Sequence, residues 1–113
     1  MNRQPKRQGR RRKRSAKART QRQHAKMRAL ERFGLQMDDH MYGRVIYKIR
    51  NGESTFIWRE SVSKRHHHVI LDGVEMVAVY DPKGGGADPE IRTFLTVEMS
   101  GILRQGDIDH ADL

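Results

Sequence analysis

Two residues, Asp72-Gly73, separate the run at 65–71 (RHHHVIL) from the run at 74–80 (VEMVAVY). An Asp-Gly pair between β-rich segments predicts a two-residue hairpin of type I′, whose two positive φ angles match the twist of paired strands. So short a turn leaves one register: Leu71 opposite Val74, Val69 opposite Met76, His67 opposite Ala78. The alternate face then carries His66, His68 and Ile70 beside Glu75, Val77 and Val79. An antiparallel sheet is therefore the centre of the fold.

Residues 54–59 (STFIWR) and 91–99 (IRTFLTVEM) read as two further strands, the second reached through Pro82 and the glycines at 84–86. Upstream the pattern is helical. Thr20 is an available N-cap, QRQHAKMRALERF contains good helix formers, and Gly34 is a natural left-handed stop. At 100° per residue, Met27, Leu30 and Phe33 form its apolar side, with His24, Arg28 and Arg32 on the other. A second helix begins at Asp38 or Asp39 and ends near Asn51-Gly52, with Met41, Val45, Ile46 and Ile49 as its stripe. Gly43 weakens its middle by roughly 1 kcal/mol. Residues 102–113 carry charges and little periodicity and read as a frayed tail. The expected class is α+β: two N-terminal helices packed on a four-stranded antiparallel sheet, preceded by a disordered basic arm. Its divisions are the arm at 1–19, a compact domain at 20–99 and an acidic C-terminal tail at 100–113.

Composition matters once it is divided along the chain. Residues 1–33 hold 14 Lys or Arg against the single acid Glu31, whereas the remainder holds 9 basic and 13 acidic residues. In the arm, Arg3, Lys6, Arg7, Arg10, Arg11, Arg12, Lys13, Arg14, Lys17 and Arg19 stand among almost nothing apolar, a composition that cannot offset the entropy of folding. With Arg22 on the first helix, they form a candidate phosphate-binding series. Guanidinium groups meet phosphates bidentately and release counterions. Arginine-rich segments commonly fold on RNA, which makes RNA the expected partner over DNA, an anionic membrane or a purely solubilising role. There is no cysteine, so no disulfide scaffold, and no apolar run near the roughly 20 residues of a spanning helix. The basic start has no apolar segment behind it, unlike a secretory signal. A soluble, cytoplasmic protein without membrane contact is expected.

Two constellations invite chemistry. His66, His67 and His68 suggest a metal, but only two can share a strand face and no Cys accompanies them, so no metal is expected. The stripe His24, Arg28, Arg32 pairs a group that titrates near neutrality with two phosphate-binding cations. Its plainer reading is the wet face of an amphipathic helix.

The run His24-Ala25, Arg28, Glu31-Arg32, Gly34-Leu35, followed by a helix closing at Asn51-Gly52, resembles the opening of a family of small toxin-like and phage-encoded proteins with a HAxxRxxxRGI-type helix before an antiparallel sheet. VEMVAVYD at 74–81 and RTFLTV at 92–97 are similar to its closing hairpin. Over residues 22–98 the chain looks like a member of the barnase/EndoU/colicin/RelE-like ribonuclease superfamily. The resemblance implies metal-independent RNA cleavage, without cofactor, by attack of the 2′-hydroxyl on the adjacent phosphate. His24 and Arg28 would be the helix pair, with Arg32 a second phosphate contact. On the sheet, His66, His68, Tyr80 and Thr93 are the implied catalytic candidates, supported by Lys64 or Arg65. The connection from Pro82 to Pro89 exceeds a tight hairpin, a departure that bears on the position of Thr93. Ribosomal or transfer RNA would be the target, and an antitoxin or host protein a further partner. The alternatives are a non-enzymatic RNA- or ribosome-binding protein of the same fold and, behind it, a DNA-binding phage regulator, for which no helix-turn-helix spacing is present.

Overall fold

The computed structural model describes residues 20–84 and 88–106. The arm at 1–19, the end of the glycine connection at 85–87 and the last part of the expected tail at 107–113 lie outside the described residues.

Among the described residues the first helix, α1, covers 20–33, and Thr20, expected as its cap, is itself helical. It stops where Gly34 N–H donates to the Leu30 carbonyl (2.9 Å) and Leu35 N–H to the Ala29 carbonyl (3.5 Å), satisfying acceptors that the last turn leaves open. Its buried face differs from the expected one. Ala25 and Ala29 are fully buried, with Phe33 packed beside them, whereas Met27 and Leu30 are 55% and 46% exposed. The seam thus follows the small side chains of α1 and not its large ones. An alanine face lets the helix backbone approach the sheet closely, and a close-packed interior has no space there for longer side chains.

The second helix, α2 (Asp39–Arg50), starts at Asp38, whose carboxylate accepts the Met41 N–H at 2.8 Å. It buries Tyr42, Val45 and Ile49, with Met41 and Ile46 at the margin of the same core. The chain then forms β1 (Thr55–Ser61), β2 (Lys64–Leu71), β3 (Val74–Asp81) and β4 (Glu90–Leu95), an antiparallel sheet in sequence order. Asp72 and Gly73 have φ of 51° and 81°, the two positive angles of the expected turn. The register is the expected one, with Leu71↔Val74, Val69↔Met76 and His67↔Ala78. In the β3–β4 connection, a Cβ on Gly84 would collide with the Asp88 carbonyl oxygen, so glycine is required there.

The last strand is shorter than the expected 91–99. It ends at Leu95, and Thr96 caps a third helix, α3 (Val97–Gln105), by accepting the Met99 N–H at 3.1 Å. Gly106 closes it with φ 79°. Residues 100–105, assigned to the tail from sequence, are thus helical. The physical cause is a local cap at each end together with Met99 and Leu103 one turn apart, which pack on Val77, Val79 and Leu95. The sheet therefore has a core on both sides. Val69, Leu71, Met76, Ala78 and Phe94 face α1 and α2, and the opposite set faces α3.

Candidate nucleic-acid interface

Helix α1 lies along β4, the edge strand, and satisfies part of its open edge. Gln21 donates from Nε2 to the Arg92 carbonyl (3.0 Å), and Arg32 donates to the Phe94 carbonyl (2.8 Å) and to Thr93 Oγ1 (3.4 Å). His24, Arg28 and Arg32, one turn apart, consequently run beside that edge. His24 is exposed, and burial first, then Arg28 and Arg32, hold its imidazole below the ordinary 6.5 despite Glu31. It is therefore predominantly neutral at pH 7, a proton acceptor beside two cations. Arg28 pairs with Glu31 (2.7 Å), while its buried Nε has no hydrogen-bond partner among the described residues. Arg22 and Lys26 both reach Asp39, at 3.4 and 2.5 Å. Largely exposed pairs of this kind contribute little to stability.

The remaining candidates lie elsewhere. Strand alternation directs His66 and His68 to the α3 side and His67 to the α1/α2 side. His66 is fully buried, with Nδ1 2.8 Å from Ser100 Oγ and Nε2 3.0 Å from Glu60 Oε1. A serine, a histidine and a carboxylate in line suggest a nucleophile, but Ser100 is itself buried and its oxygen accepts the Trp58 indole N–H at 3.1 Å. The Trp58 and His66 rings lie 4.5 Å apart. This network ties β1, β2 and α3 together inside the protein. His68 Nε2 contacts Glu75 at 3.0 Å. Tyr80 is buried on the other face of the sheet, and Thr93 is buried opposite Val79. Of the seven catalytic candidates, His24, Arg28 and Arg32 share one stripe of α1 and Arg32 reaches Thr93, whereas His66 and His68 lie on the α3 side of the sheet and Tyr80 is buried in the core on the α1/α2 side. Despite the connection from Pro82 to Pro89, Thr93 remains in the ladder because Arg92 forms a bulge.

Lys64 and Arg65, expected together, point to opposite faces: Lys64 stands opposite Ser61, and Arg65 opposite Arg59. On the Arg65 side the structure joins Tyr80 and His67, both named from sequence, to Phe56 and Ser54, which were not. Phe56 and His67 rings meet edge to face at 5.4 Å, and His67 meets Tyr80 at 5.7 Å. Ser54 Oγ lies 3.0 Å from His67 Nδ1. Burial, then Arg65, lowers the His67 pKa, and burial raises that of Tyr80 against the pull of Arg50 and Arg65. Period-2 alternation puts Phe56 and Arg59 on opposite faces. A register shift between Phe56 and Trp58 puts them on the same one.

Among the described residues, no group of three or more His, Cys, Asp or Glu is placed to hold a metal ion, and no helix is long and apolar enough to cross a membrane. No protein-family model, curated protein or solved structure matches the chain.

Proposed function

We propose that the protein binds RNA through its basic N-terminal third. The observation that carries this reading is the partition of charge: residues 1–33 carry 14 basic groups and one acid, while the rest of the chain has more acids than bases. Such a series has long-range attraction for a polyanion but little means of reading base sequence. The stripe on α1 supports the reading, because it continues the basic series along the β4 edge. Fluorescence anisotropy with labelled single-stranded RNA, duplex RNA and duplex DNA at matched salt tests it. Tighter binding to RNA is expected; tighter binding to duplex DNA would return the protein to the DNA-regulator reading.

A second reading, metal-independent endoribonuclease, rests on the neutral His24 imidazole beside Arg28 and Arg32. In that reaction His24 takes the proton of the 2′-hydroxyl, the 2′-oxygen forms a bond to phosphorus, and the bond to the 5′-oxygen breaks. The leaving oxygen takes a proton from water. Arg28 and Arg32 stabilise the charge that develops on the phosphorane, and the Phe94 carbonyl holds Arg32 in position. Incubation with total RNA in EDTA should give 2′,3′-cyclic phosphate ends that vanish in His24→Ala. If wild type and His24→Ala are equally inert, the protein binds RNA without cutting it.

A further inference from the structure

On the α1/α2 side of the sheet, Arg50 from the last turn of α2 and Arg65 from β2 both act electrostatically on Tyr80, and Arg59 from β1 stands opposite Arg65. None of them makes an ion pair with a described carboxylate. Arg59 and Arg65 are directly opposed in the ladder, an arrangement of like charges that destabilises a sheet unless an anion lies between them. Arg65 Nε is buried without a hydrogen-bond partner among the described residues. Next to these cations, Phe56 leaves 53% of its surface exposed, and its ring is fixed against His67.

We propose that this corner is a subsite for single-stranded RNA, with a phosphate held between Arg59 and Arg65 and the adjoining base stacked on Phe56. The proposal deepens the RNA reading and rests on it. An exposed aromatic ring with flanking guanidiniums is the combination that binds single strands, because every base has a π-face and the backbone needs only cations. A duplex keeps its bases stacked within the helix and cannot present one to Phe56. The corner thus gives the folded domain a preference for unpaired strands that the arm alone lacks.

The test uses the full chain and a labelled oligouridine, with inorganic polyphosphate as a base-free polyanion. Phe56→Ala should weaken oligouridine binding about tenfold, within the range of one missing base stack, and leave polyphosphate binding unchanged. Arg59→Gln should weaken both and lower the salt slope for oligouridine by about 0.7, the share of one neutralised phosphate on a single strand. Both side chains are exposed, and circular dichroism verifies that the variants are folded. An oligomer carrying 4-thiouridine should cross-link to the peptide containing Phe56. If both variants bind oligouridine like wild type and cross-links fall only within residues 1–19, the corner is not a subsite, although RNA binding by the arm stands. Equal losses toward polyphosphate in Phe56→Ala would remove the stacked base. If wild type binds no RNA, both readings fail together.

Discussion

His67 illustrates how one position reports on its surroundings. Its Nδ1 faces Ser54 Oγ, its ring lies between Phe56 and Tyr80, and burial followed by Arg65 disfavours the imidazolium. The folded pKa is therefore below the unfolded 6.5. As pH falls through 6.5 the unfolded chain takes up a proton that the folded chain resists, so stability decreases toward the lower folded pKa and is complete above 6.5. His24 acts in the same direction. The urea midpoint should consequently fall between pH 7 and pH 5, and His67→Gln should reduce that fall; an unchanged pH dependence in the variant would count against this assignment. None of this environment could be read from the HHH triplet. Alternation assigned faces to the three histidines, but their partners Ser54, Glu60 and Ser100 come from segments 6 to 34 residues distant.

At the scale of elements, the alanine face of α1 makes a sharp contrast. Ala29→Leu should destabilise the protein by about 1–3 kcal/mol through overpacking. Leu30→Ala, at an exposed neighbour, should remain within about 0.5 kcal/mol. Urea denaturation of the two variants measures both, and the reverse order would restore the large-residue seam expected from the wheel. Removing the cap of α3 with Thr96→Ala should cost about 1 kcal/mol by the same assay. The hairpin and α2 were legible because their information is local: Asp72-Gly73 dictates a turn, and Val45 and Ile49 repeat with the helix. The face of α1 was not legible, because it depends on how closely the sheet approaches. For α3 the signals Thr96 and Gly106 were present, but β-rich IRTFLTVEM obscured them by continuing past Leu95. Spacing put His24, Arg28 and Arg32 on one stripe of α1, but that Arg32 reaches Thr93 and Phe94 at the β4 edge was not legible from it. The corner at Phe56, Arg59 and Arg65 was hidden by a bulge.

Across the whole molecule, charge is divided into a basic third and an acidic remainder. On the proposed reading the basic third attracts a polyanion and carries the α1 stripe along β4, while the acidic remainder contributes, at the far side of the sheet, an aromatic and cationic corner. Since α1 covers one edge and the corner opens at β1, the two surfaces lie at opposite ends of the strand order. A strand of RNA attracted by residues 1–33 would thus have more than one place to settle. Polyanion binding driven by that third is measured as the affinity of the full chain for labelled single-stranded RNA as a function of salt. Log K should fall linearly with log salt. Replacement of Arg10, Arg11, Arg12, Lys13 and Arg14 by Gln should flatten the line by about 0.7 for each phosphate that the variant no longer neutralises. An affinity indifferent to salt, or a slope unchanged by those five substitutions, would mean that the basic third does not drive binding.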